Sequence, residues 1–181
     1  MKHKTDPKWI IKIIVISVTM SMVFSLLSAE VLDGAGYIVA FVLLFAFIAV
    51  GVIFDVIGVA VTSASETPFH SMASHRERGA KEALRLLRKA ERVASICNDV
   101  VGDISGIISG ATAATIASNL TRDFGVRSVI MTLAVTGVVS GLTIGGKAIG
   151  KTLAIRRDTQ IIFAVGRLMS YLPKFKNKKK N

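Results

Sequence analysis

The sequence predicts an all-α integral membrane protein, a bundle of four transmembrane helices with further helices at the membrane surface. Three observations carry this. Hydrophobic residues make up 51% of the 181 and charged residues 19%, with a mean hydropathy of +0.57. That apolar excess is gathered in runs of spanning length rather than spread with the alternation of a soluble core. The net charge of +11 sits almost wholly between and after the runs, as orientation and contact with anionic lipid require. In a soluble chain the same charge would point to nucleic acid; here the runs exclude that partner in favour of the bilayer. The single cysteine, Cys97, excludes a disulfide framework and a thiolate zinc site.

The first run covers 9–28 and is broken only by Lys12. Lys2, Lys4 and Lys8 ahead of it would also suit a signal peptide, but the apolar stretch is longer than such a core and the Ser28-Ala29-Glu30 stretch is a poor cleavage site. A retained span anchored by Trp9 is the expectation. The second run, 36–62, has one charge, Asp55; the third, 93–118, carries Asp99 and Asp103; the fourth, 126–149, has Lys147 near its end. Each is long enough for a hydrocarbon core of about 30 Å, and lipid obliges each to be helical.

Arg76, Arg78, Lys81, Arg85, Arg88, Lys89 and Arg92 follow run two, and the basic residues from Lys147 to Lys180 close the chain. The other two connections hold Glu30 and Asp33, and Arg122, Asp123 and Arg127. The excess of Lys and Arg therefore puts both termini and the 63–92 linker in the cytoplasm of a multi-pass cell-membrane protein. Within the linker, 82–92 reads as one helix of strong formers, and 69–78 as a shorter one. Residues 152–172 form an amphipathic interfacial helix stopped at Pro173. The division is thus an extra span and outer loop at 1–35, a bundle at 36–172 and a polybasic tail at 173–181. The tail either attracts anionic lipid or only enforces orientation.

Two glycine series recur every fourth residue: Gly102, Gly106 and Gly110 in run three, and Gly137, Gly141 and Gly145 in run four. Each makes a flat stripe for close helix approach, within a protomer or across a homodimer. Asp55, Asp99, Asp103 and Lys147 are costly in hydrocarbon and belong in the interior or against a cavity. All four fall in the cytoplasmic half, with Ser63, Ser65, Asn98, Ser105 and Ser109 nearby. An oxygen-only donor set suits a hard cation such as Mg²⁺. The competing reading is a polar packing network in which Lys147 neutralises an aspartate.

These residues resemble the transmembrane domain of the CNNM/CorC family of magnesium transporters. TSASET at 62–67 is similar to the end of that family's first conserved span. The stretch 75–93 resembles its juxtamembrane helices, ICNDVVG at 96–102 the start of its second span, and GKAIGKTLA at 146–154, more weakly, its third. The blocks cover roughly 38–172 in the family's order. The resemblance implies a homodimer with an ion site of helix-end oxygens between three spans. It places Ser63 and Asn98 among the ligands, with Ser65 and Glu66 beside them and Asp99 and Asp103 as possible charge partners. It also implies a degenerate site: Gly102 stands where a second ligand asparagine is expected, Lys147 where a glutamate is, and Gly150 where a proline is. No pair of CBS domains, the usual nucleotide-sensing part, follows within these residues.

Residues 145–152, GGKAIGKT, fit the phosphate-loop pattern GxxxxGK[ST]. That loop needs a strand before it and a helix after it; a glycine-striped membrane run precedes it here, so no nucleotide is expected and no enzyme. His3, His70 and His75 make no metal motif. Two functions remain: an Mg²⁺-binding or transporting domain, and a non-transporting scaffold or regulator in which Lys147 fills the ion position.

Overall fold

The computed structural model describes residues 7–32, 36–125 and 127–171, and every element among them is helical. Residues 33–35, in the expected outer loop, and the expected polybasic tail at 173–181 lie outside the described residues. Four helices are long and apolar enough to cross a membrane. They are α1 (Pro7–Leu32), α2 (Tyr37–Ser63), a third span over Ala90–Phe124, and α7 (Ser128–Arg156). The third span is composite. It runs as α5 (Ala90–Ser95), a π-helical segment (Ile96–Gly102) and α6 (Asp103–Phe124). The wider π turn falls on the run containing Asn98, and such turns are concentrated at functional sites.

The second span is central: α2 packs against the π segment, α6 and α7 at once. It spans 27 residues, about 40 Å. Small residues set these contacts. A Cβ at Gly146 would stand 3.2 Å from Val52 Cγ2, and one at Gly150 2.7 Å from Val56 Cγ2. The anticipated stripes are not used this way: nothing lies within 4 Å of a Cβ at Gly106, Gly110, Gly137, Gly141 or Gly145. Those faces point outward from the protomer.

A core toward the N-terminal half of α2 joins Leu44 and Ile48 to Ala113 and Ile116 of α6 and Val139 of α7. Along α1, Ile13, Ile16, Met20 and Phe24 pack on Val100, Ile104 and Ile108, and Ser28 shares a buried hydrogen bond of 3.4 Å with Thr112. Elsewhere α1, α2 and α7 leave large side chains open, such as Met22, Ile38, Val129 and Ile149, as lipid-facing surfaces do.

At the basic end lie α3 (Thr67–Ser74), α4 (Ala80–Leu87) and α8 (Asp158–Tyr171). Pro68 opens α3, where its missing N–H is no loss. The helix expected over 82–92 is broken at Lys89 (φ −125°, ψ 28°). The reason is tertiary: Ala83, Leu84 and Leu87 must face Ile162 of α8 and Phe69 of α3, while Ala90 onward must pack along α2. A similar break at Arg157 (φ −128°) separates α8 from α7, so the amphipathic helix starts later than 152. Gly79 has φ +97°, and a Cβ there would meet Arg167 N at 2.5 Å. Glycine is required at this point both by conformation and by the approach of α8.

Gly166→Ala would set its methyl 2.5 Å from the Gly79 carbonyl and 2.9 Å from Ala83 N. It should cost about 1–3 kcal/mol, as overpacking does, lowering the melting temperature in detergent.

Candidate cation site between the spans

One face of α2 carries Gly51, Asp55 and Gly58, spaced as helix neighbours. All three are buried. The antiparallel third span lies against this face. A Cβ at Gly51 would meet Ser105 Cβ at 3.1 Å, and one at Gly58 would fall 1.9 Å from Asn98 Oδ1. The glycines are therefore sockets for Ser105 and Asn98. Asp55, only 4% exposed, lies between them. The result is a file of oxygens along the helix interface, about 10 Å long from the rise between Gly51 and Gly58. Asp55 Oδ2, Asn98 Oδ1 and Ser105 Oγ are all buried without a hydrogen-bond partner. Buried polar atoms are rarely left so, and leaving one unmade costs about 1–3 kcal/mol.

The fourth span closes the file with two cations one turn apart. Lys151 Nζ stands 3.7 Å from Asp55 Oδ2, an ion pair with one buried and one half-exposed partner. Lys147 Nζ lies 3.7 Å from where a Cβ at Gly102 would project. The open space beside Gly102 and the ammonium of Lys147 thus meet. Asp55 is engaged by Lys151 rather than by Lys147.

The structure brings together Asp55, Asn98, Gly102 and Lys147 of the residues singled out from the sequence, along with Ser105. It does not bring the others to the file. Asp99 and Asp103 are exposed and line a groove of about 480 Å³ against Ser17, Ser21 and Ser25 of α1. Ser95 Oγ donates to Asp99 Oδ2 at 2.8 Å. Ser63 is exposed at the end of α2. Ser65 Oγ donates to Thr67 Oγ1 at 3.3 Å, and Glu66 meets His70 Nε2 at 3.3 Å. Lys151 was legible only as part of the discounted phosphate-loop pattern. Its partner would have emerged by placing 147 and 151 on one helical face. Residues 145–152 lie inside α7, so their backbone follows the helix rather than a phosphate-binding loop.

Among the described residues no three His, Cys, Asp or Glu side chains converge as metal ligands. A cation here would rely on one carboxylate, an amide carbonyl, a hydroxyl and water. That set suits Mg²⁺, which dehydrates reluctantly and keeps several waters. The apolar layer of Leu44, Ile48 and Ile116 separates the file from a smaller pocket of about 110 Å³ at the opposite end. There the Tyr37 hydroxyl donates to Asp123, beside Asn119.

The family model described as CNNM, the cyclin M transmembrane N-terminal domain, matches residues 41–175. The chain belongs to that family, one of membrane divalent-cation transporters. Helix α1 precedes the matched region. Neither a curated protein nor a solved structure matches the chain.

Lys151→Ala should remove the neighbour of a buried carboxylate. Breaking a fully buried pair costs about 3–5 kcal/mol; because Lys151 is half-exposed, about 1–2 kcal/mol is expected after solvent screening. Adding Asp55→Asn to Lys151→Ala should recover part of it, and a double-mutant cycle of unfolding free energies measures the coupling.

Proposed function

We propose that this cyclin M domain binds a divalent cation, Mg²⁺ by its donor chemistry, against Asp55 and Asn98 at the α2–π interface, and passes it across the membrane. The observation that carries the reading is a pair of buried oxygens that accept no hydrogen bond, Asn98 Oδ1 and Asp55 Oδ2, the latter with only the longer 3.7 Å ion pair to Lys151. The proposal departs from the ligand set implied by resemblance. Asn98 is retained; Asp55 and Ser105 replace Ser63, Asp99 and Asp103, which lie away from the file. The basic end, carrying 63–92 and α8, faces the cytoplasm, as the excess of Lys and Arg there favours.

Lys147 is the internal competitor. An ammonium beside a divalent ion is opposed by several kcal/mol at the dielectric of a partly buried site. The ion therefore enters as the lysine side chain swings aside. The second reading, a non-transporting scaffold, is favoured by the same lysine lying over Gly102: its ammonium would stand permanently in the ion's place. The outward stripes of Gly106 and Gly110, and of Gly137, Gly141 and Gly145, support a homodimer in either reading.

Titration with Mg²⁺ should raise the melting temperature of the wild type. Ligand at about 100 times its Kd contributes roughly 2.7 kcal/mol. Asn98→Ala should lose the response and Lys147→Ala should reach it at lower Mg²⁺. A response confined to the lysine variant would favour the scaffold; no response in either would remove the cation site. For the dimer, the native Cys97 is buried, so Gly110→Cys or Gly141→Cys should give a covalent dimer on oxidation where that stripe is the interface.

A further inference from the structure

The break between α4 and α5 has a chemistry that the cation site does not use. It forms an elbow around a cavity of about 500 Å³ lined by Arg88, Lys89 and Arg92, with Leu87, Ala90 and Glu91. The three basic side chains are exposed. Glu91 and Lys8 are each engaged with another group.

The depth of the elbow follows from helix register. Asn98 is seated on Gly58, five residues, or about 7.5 Å, before the end of α2 at Ser63. Ala90 stands eight residues from Asn98 in the same direction, about 12 Å. The elbow therefore rises about 4–5 Å beyond the end of α2. Since α2, at about 40 Å, overreaches a hydrocarbon core of about 30 Å, this level is that of the lipid headgroups. Its lateral position is also fixed. The Arg92 guanidinium lies 4.9 Å from the Trp9 ring, an aromatic of the kind that anchors at the membrane interface. The next residues of α1, Ile10 and Ile11, are 44% and 62% exposed. The elbow thus opens at the lipid boundary rather than toward the middle of the bundle.

We infer that this elbow is a binding site for the phosphate headgroup of an anionic phospholipid, with Arg88, Lys89 and Arg92 as its ligands. Arg92 supplies a planar donor fork held by its stack on Trp9, Lys89 a compact charge at the break itself, and Arg88 a second guanidinium in the lining. A lipid is the occupant because the cations stand at headgroup level beside an apolar helix face, where a phosphodiester and its acyl chains are both accommodated. The inference is independent of the cation site. It sets the site beside α1, which lies outside the matched family region and meets the elbow through Trp9 and Arg92.

The test is mass spectrometry of the intact purified protein, counting phosphatidylglycerol retained after washing in detergent. Exchange into phosphatidylcholine is one comparison arm and excess inorganic phosphate another. The wild type should retain phosphatidylglycerol over phosphatidylcholine, and inorganic phosphate should not displace it. Each elbow charge removed should weaken retention about fivefold, from roughly 1 kcal/mol per basic residue at the surface. The exposed positions permit Arg88→Gln/Lys89→Gln without disturbing the core, and Arg92→Lys tests the stacked fork with the charge kept. Lys178→Gln/Lys179→Gln in the tail should leave retention unchanged. The proposal is overturned if Arg88→Gln/Lys89→Gln retains as much lipid as the wild type. It is also overturned if the tail variant loses as much, or if inorganic phosphate competes the lipid away.

Discussion

Close approach of neighbouring helices to α2 is the constraint on which the remaining structure depends. In lipid there is no hydrophobic drive between apolar helices, so association depends on packing contact and on polar groups with nowhere else to go. Gly146 and Gly150 let α7 come within reach of Val52 and Val56, while Gly51 and Gly58 admit Ser105 and Asn98 of the third span. The same residues that make the bundle tight thereby aim polar side chains into it. A methyl group at Gly58 would occupy the Asn98 amide position, so packing and site chemistry cannot be altered separately there.

The π-helical segment is the second element of this arrangement. It interrupts the third span where Asn98 and Gly102 face α2 and α7. Gly102 has no side chain to fill the space it faces, and Lys147 extends its ammonium toward that space. The local electrostatics follow: the buried carboxylate of Asp55 is paired with Lys151, while a second ammonium, that of Lys147, points at the space beside Gly102. A transporter with this arrangement must move a charge of its own to admit its ion. A scaffold with it would be stabilised by a cation that never leaves. Both rest on the same pair, Gly102 and Lys147, and the difference lies in whether Lys147 is mobile.

Much of the architecture was legible because membrane spans leave a strong signal. Runs of about 20 apolar residues gave the four long helices, and strong helix formers with period-matched apolar residues gave α4 and α8. The break at Lys89 was not legible, since nothing local opposes a continuous helix over 82–92; the direction change comes from α8 on one side and α2 on the other. The site was legible in part. Asn98, Asp55, Ser105, Gly102 and Lys147 stood out as polar groups or departures at membrane depth. Asp99 and Asp103 stood out equally, yet face the serines of α1, because depth read from sequence does not give azimuth. The same limit applies to glycine spacing. Gly106 and Gly110 make the more regular stripe, but Gly51 and Gly58, spaced seven apart, are the ones that receive the third span.

An anomalous difference map from crystals equilibrated with Mn²⁺, a close stand-in for Mg²⁺ toward oxygen ligands, tests the central claim most directly. The account predicts a peak in contact with Asp55 Oδ2 and Asn98 Oδ1, with the Lys147 side chain turned away from Gly102. A peak confined to the Asp99–Asp103 groove, or an unmoved Lys147 and no peak at saturating Mn²⁺, would contradict it.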